Sequence, residues 1–398
     1  MKNRVFTWII ILIALSLTGA CAPKSRPVGT APPTPVAIAP AKTATPTSNI
    51  SPVRQAQGEP PASQDPAWAR VVEAAKKEGL LTIYSATAFA GDGGRRSVEA
   101  FSKEYGIRVE LLIAAGRQVV ERVKVESTMK QPIGDIVSPG LSSATELSLA
   151  GLLDSIWQDL PELRNMAVFK VDPKYTPNGD VLNMVFAVAG VLVNTKLVKA
   201  QDEPRSYFDL LDPKWKGKMI LTDPRAGAGG GFAWFAEMRY YKVLDDDYFR
   251  RFARQEPILW GGGSVEETGM VARGEAWLNL YKSYKSAGDI ILEGAPLKLL
   301  GMTEGNSLLT EPIAMVKGTA HPNAAKLFIN WLLSREGQEI LARETVADSV
   351  RKDVPNFVDP RVRPQPEPQR LLPRTYEVAE TMNRYHKEGI AESLFGKR

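Results

Sequence analysis

Hydrophobic and polar positions alternate between a helical and a strand period along most of this chain. Trp68, Val71, Val72 and Ala75 recur at helical spacing, and Gly79 is placed to stop that helix. Leu80 to Ser85 (LLTIYS) reads as a buried strand. The turn Gly91-Asp92-Gly93-Gly94 leads into a second helix with Val98, Phe101 and Tyr105 on one face, closed by Gly106. Ile107, Val109 and Leu111 alternate as a strand. Val119, Val120 and Val123 carry a third helix, Asp135-Ile136-Val137 a third strand, and Ser138-Pro139-Gly140 breaks it. Ser143 and Glu146 have the spacing of a capping box for the next helix. Such regular alternation predicts right-handed βαβ units and a parallel sheet. Ligands of such sheets bind at the carboxyl ends of the strands, here Ser85 to Thr87 and Ser138 to Leu141.

A second α/β region follows. Val185 to Val193 is apolar and β-rich, and Lys218 to Leu221 runs into Thr222-Asp223-Pro224-Arg225. Gly227, Gly229, Gly230 and Gly231 then precede an aromatic helix. Ile258 to Gly263 reads as a strand ending in three glycines, and Pro322 to Leu341 as one long helix.

Upstream of Trp68 the pattern is lost. Lys2 and Arg4 precede an uncharged apolar run from Val5 to Leu17, followed by Thr18-Gly19-Ala20-Cys21. This is the layout of a secretory signal over residues 1–20. It is too short for a helix that crosses a bilayer. Cys21, the chain's only cysteine, resembles the lipidated residue of a bacterial lipobox, with Thr18 where an aliphatic residue is more usual. Residues 21–65 are rich in Pro, Ala and Thr, with ten prolines from Pro23 to Pro61, an eleventh at Pro66 just beyond, and no aromatic between Cys21 and Trp68. Such a segment cannot bury enough apolar surface to fold, and reads as a disordered tether.

Charge and composition narrow the function. Lys2 and Arg4 account for two of the net +5, leaving the chain beyond them too mildly basic to argue for nucleic acid. One cysteine excludes internal disulfides and cysteine-paired zinc, and His321 and His386 are the only histidines. No G-x-S-x-G elbow, P-loop or H-E-x-x-H occurs, and Phe232 spoils the one dinucleotide-like glycine run. The expectation is that the protein is not an enzyme.

Several runs carry a family resemblance. They are Ala74-Ala75-Lys76-Lys77-Glu78-Gly79, Phe101-Ser102-Lys103-Glu104-Tyr105-Gly106-Ile107, Gly190-Val191-Leu192-Val193-Asn194-Thr195-Lys196-Leu197, Leu221-Thr222-Asp223-Pro224, Val271-Ala272-Arg273-Gly274-Glu275-Ala276 and His321-Pro322-Asn323-Ala324-Ala325-Lys326. In this order they resemble an extracellular solute-binding protein of a bacterial ABC importer, in the branch that includes ferric-ion, thiamine and phosphonate binders. The resemblance implies a periplasmic-binding-protein-like α/β fold: two lobes with mixed sheets, joined by a hinge of crossing strands. Lobe 1 is expected to hold 66–180 with 308–350, and lobe 2 181–307 with 351–398. It also implies a monomer on the extracytoplasmic face, lipid-anchored, that docks on membrane permease subunits and carries a small molecule or ion.

The candidate ligand-binding residues are Ser85, Thr87, Ser138, Arg225, Ser264, Tyr281 and Tyr284. Ser85, Thr87 and Ser138 offer hydroxyls at strand ends, with turn capping as the plain alternative. Arg225 could clamp a carboxylate or phosphate, or hold a hinge salt bridge. The glycines before Ser264 would let backbone approach a ligand. In ferric-ion binders of the family, adjacent tyrosines in the region of Tyr281 and Tyr284 are the ligands. Here those tyrosines are three apart, Lys282 and Lys285 flank them, and no histidine follows the first strand. An anionic or chelated-metal solute therefore fits better than bare Fe3+ as the transported ligand. Two further readings stay open: a ferric-iron binder of the same fold, and a ligand-sensing surface lipoprotein that signals to a membrane partner.

Overall fold

The computed structural model describes residues 65–396, apart from Thr87 and Ala228, together with the short strand Val36–Ala37. Cys21 and the signal segment lie outside the described residues, as does almost all of the tether.

Helix α1 (Pro66–Glu78) starts where Asp65 accepts the amide of Ala67 at 2.8 Å, with Pro66 at its first position. Strands β1 (Leu80–Ser85), β2 (Arg108–Ile113) and β3 (Ile136–Ser138) are parallel, with β1 in the middle. Helices α2 (Asp92–Tyr105) and α3 (Gly116–Thr128) connect them as the alternating pattern predicts.

Helix α4 (Leu141–Leu149) begins earlier than the spacing of Ser143 and Glu146 suggests. Pro139 ends the strand, Gly140 turns the chain at φ +88°, and Leu141 is buried, which pulls the helix start forward. Glu146 instead pairs with Lys124 on α3. Among the described residues, none caps the first turn of α4 with its side chain.

Two long strands cross the molecule, β4 (Leu182–Asn194) and β9 (Asn306–Val316), antiparallel to each other. Between them in sequence lie β5 (Met219–Thr222), β6 (Ile258–Trp260), β7 (Leu278–Ser283) and β8 (Leu297–Leu300). The strand order is β2–β1–β3–β9–β4–β7–β5–β6, with β8 paired to β4. The first half of β4 pairs with β9, and its second half, from Ala189, pairs with β7. The last residues of β9 pair with β3. Each crossing strand thus belongs to both lobes, which is the geometry of a hinge.

Lobe 1 packs Leu81, Ile83, Phe101, Ile136, Phe328 and Trp331 into one core. Lobe 2 builds an aromatic core on α5 (Gly229–Tyr240) and α6 (Asp246–Ala253). The Trp234 ring lies 5.5 Å from Phe249 and 5.2 Å from Phe252, both edge-on. Each fully buried ring contributes roughly 1.5–3 kcal/mol by area alone, so α5 is firmly held.

The long helix expected from Pro322 to Leu341 is two helices, Pro322–Leu333 and Arg335–Glu344. Ser334 separates them, its hydroxyl accepting the Gly337 amide at 3.2 Å. The apolar period continues through the break, which hides it in the sequence. The strand read as Ile258 to Gly263 ends at Trp260. Near the end of the chain, helix Tyr376–Lys387 serves both lobes. Ala379 sits with Leu141, Ala144 and Tyr175, whereas Val378, Met382 and Tyr385 sit in the aromatic core of lobe 2.

Candidate functional site

A cavity of about 320 Å³ lies between the lobes, just beyond the carboxyl end of β3. Lobe 1 contributes Pro139 to Ser143, the uncapped start of α4. Lobe 2 contributes Gly229, Gly230 and Ala233, the start of α5. Tyr281, Leu309, Arg374 and Met382 complete the wall.

The glycine run at α5 is a packing requirement. A Cβ on Gly231 would lie 1.7 Å from the Thr222 carbonyl oxygen, and one on Gly230 3.1 Å from the Tyr281 ring. Only glycine lets this helix start so close to the end of β5. Both helices therefore bring first-turn N–H groups, and the positive ends of their dipoles, to the same cavity.

Behind the cavity lies a buried polar cluster. The Tyr281 hydroxyl donates to Glu237 on α5 at 3.1 Å. Arg374 donates from Nε to Glu237, and from Nη2 to the Tyr281 oxygen at 2.5 Å. Glu237 is fully buried and Arg374 nearly so. Burial pushes the Tyr281 phenol well above its ordinary range, opposed by Arg374 and reinforced by Glu237. Burial also works against the charge of Arg374, and Glu237 outweighs it, so the guanidinium stays charged. A buried carboxylate with one cation and one phenol is electrically neutral, and both partners are hydrogen-bonded to the carboxylate.

The residues picked from the sequence fall in several places. Tyr281 lines the cavity. Ser138 ends β3 immediately before it; the hydroxyl is fully buried and has no hydrogen-bond partner among the described residues. Ser85 is also fully buried, and its Oγ accepts the Phe89 amide at 3.3 Å, which is turn capping. Thr87 lies outside the described residues. Arg225 forks onto Asp223, with Nε and Nη2 each 2.9 Å from a carboxylate oxygen, and reaches the Gly396 carbonyl. Ser264 is exposed at the start of helix Ser264–Arg273 and accepts from Lys282 Nζ at 2.7 Å. Tyr284 is fully buried and donates to Asp348 at 2.5 Å, with Arg363 stacked over its ring. Ser85, Arg225, Ser264 and Tyr284 do not line the cavity.

Sequence reading missed Glu237 and Arg374. Glu237 had a signal. It is the lone carboxylate in Phe232-Ala233-Trp234-Phe235-Ala236-Glu237-Met238, a helical run apolar on every side, where a charge must find a buried partner. Arg374 had none, since nothing in the run Leu371-Leu372-Pro373-Arg374 marks its side chain for a buried partner. Among the described residues, no group of three or more His, Cys, Asp or Glu side chains is placed to hold a metal ion.

Comparison with known proteins bears on this arrangement. The family described as bacterial extracellular solute-binding protein matches residues 96–363. A Salmonella typhimurium protein, named as a candidate 2-aminoethylphosphonate-binding periplasmic protein, is 26% identical over 306 residues, covering 73% of this chain and 82% of the relative. Iron-bound HitA from Pseudomonas aeruginosa superposes with a TM-score of 0.62 at 19% identity, over 78% of this chain and 99% of that one. The periplasmic binding protein AfuA from Actinobacillus pleuropneumoniae, solved with exogenous fructose-6-phosphate bound, gives 0.61 at 19% identity, over 79% and 97%. These structures share the two-lobe fold. The chain belongs to the bacterial extracellular solute-binding proteins, which are exported transport components rather than enzymes, and it is the solute-binding component of an ABC transporter.

Proposed function

We propose that this protein captures a small anionic solute in the cavity between α4 and α5 and presents it to the permease subunits of its transporter. One observation carries the reading: helix starts from the two lobes face one cavity. First-turn N–H groups are unsatisfied donors in a positive field, and an anion satisfies both. The cavity has room for a small solute. Support comes from the relative named for a phosphonate and the neighbour solved with a sugar phosphate. The hinge strands would let the lobes close on the solute, and the protein would act as a monomer held to the membrane by a lipid on Cys21, with residues 21–65 as its tether.

A second reading, ferric-iron capture, rests on the iron-bound neighbour and on Tyr281. It is the weaker one, because of the two tyrosines only Tyr281 lines the cavity and its hydroxyl is engaged by Glu237 and Arg374.

A thermal-shift titration of the full chain separates the two. The ligands are 2-aminoethylphosphonate, inorganic phosphate, fructose-6-phosphate and ferric citrate. A solute bound only by the folded state adds about 2.7 kcal/mol of stability at a hundredfold excess over Kd. A shift with a phosphorus oxyanion supports the anion reading. A shift with ferric citrate alone, together with a visible tyrosinate-to-iron band, would replace it by the ferric one.

A further inference from the structure

We propose that Arg374 grips the oxyanion of the solute, an assignment that rests on the anion reading above. Arg374 lies beyond residue 363, where the family match ends. Its position is nevertheless fixed. The preceding strand Leu371–Pro373 pairs with the start of β9, and the Arg374 amide donates to the Leu308 carbonyl at 3.2 Å.

A guanidinium carries five N–H donors in a planar fork. The edge formed by Nε and Nη2 is spent on Glu237 and Tyr281. Nη1 has no hydrogen-bond partner among the described residues, and the side chain lines the cavity. The end of the fork, Nη1 with the second N–H of Nη2, remains. That pair of donors matches two oxygens of a carboxylate, phosphonate or phosphate.

Glu237 and Tyr281 thus act as positioning residues. They hold the planar group by one edge so that the other meets the ligand already oriented, which lowers the ordering cost of binding. The rival explanation is that Arg374 only neutralises Glu237. A lysine would serve that purpose equally well, because it supplies the charge without the fork.

The test is calorimetric titration of the full chain with inorganic phosphate, 2-aminoethylphosphonate and fructose-6-phosphate, for the wild type and for Arg374→Lys, with the unliganded melting midpoint recorded for each. The expected result is that the oxyanion bound by the wild type loses about ten- to a hundredfold in affinity in Arg374→Lys, while the midpoint moves by no more than a few degrees. Whichever of the three binds identifies the oxyanion. Unchanged affinity overturns the role of Arg374 and leaves the anion reading standing. A wild type that binds none of the three overturns both. Should Arg374→Lys fail to fold, the double variant Arg374→Gln/Glu237→Gln removes both charges together, and retained affinity in it overturns the proposal.

Discussion

Tyr281 and Tyr284 stand three residues apart, yet their hydroxyls end in separate buried networks, one on Glu237 and the other on Asp348. The cause is local. Strand β7 stops at Ser283 and a helix, Tyr284–Leu292, begins at Tyr284, so the alternation of the strand is broken between them. Removing each hydroxyl should therefore have different consequences. Tyr281→Phe is expected to cost about 1–2 kcal/mol of stability and to weaken solute binding, because Arg374 loses one of its two clamps. Tyr284→Phe is expected to cost a similar amount and leave Kd unchanged. Urea unfolding and a ligand titration on both variants check this. Equal effects on Kd would contradict it.

The start of α5 offers a sharper lesion. A methyl on Gly231 has no room against the Thr222 carbonyl, so Gly231→Ala must displace either the helix or β5. Overpacking of this kind costs about 1–3 kcal/mol. The displaced helix start also spoils the cavity wall. The variant should melt earlier and bind solute poorly even when folded, as a thermal melt followed by titration at low temperature would report.

Much of lobe 1 was legible in the sequence, and the reason is that its signals are local. Gly79 and Gly106 stop helices, and Val109 and Leu111 alternate within one strand. The crossing strand β4 was visible as a β-rich run, although it starts at Leu182 rather than Val185. The cavity was half legible. Strand ends pointed to Ser138 and the residues after it, and family resemblance pointed to Tyr281. The cluster behind it was not, because Arg374 meets Glu237 across 137 residues of chain. Arg225 illustrates the converse. Its neighbour Asp223 answers its charge within one turn, an outcome the sequence permits but does not choose over a ligand.

Lys282 and Glu267 form a pair that is almost wholly buried, with Thr222 and Asn279 also bonded to the carboxylate. Replacing one partner leaves the other charge stranded. Lys282→Met is predicted to lose about 3–5 kcal/mol, and Lys282→Met/Glu267→Leu to recover most of it. Chemical denaturation of the two variants decides the point, and equal stability of single and double variants would refute the pairing.

Alkaline pH should loosen the fold. Burial raises the Tyr175 phenol to about 12, and Tyr281 is raised as well. In the unfolded chain both ionise near pH 10. Above that value the unfolded state has released a proton that the folded state still holds, so stability falls as pH rises. Each such tyrosine removes about 1.4 kcal/mol per pH unit, for Tyr175 up to pH 12. Tyrosine ionisation followed by absorbance should coincide with unfolding followed by circular dichroism, and full ionisation in a folded protein would contradict this.

The most direct test of the central claim is amide hydrogen exchange, with and without a saturating oxyanion. If the solute sits between two helix starts, the amides of Leu141 to Ser143 and of Gly229 to Gly231 gain protection together, one set from each lobe. Protection confined to a single lobe, or falling outside both helix starts, would contradict capture in this cavity.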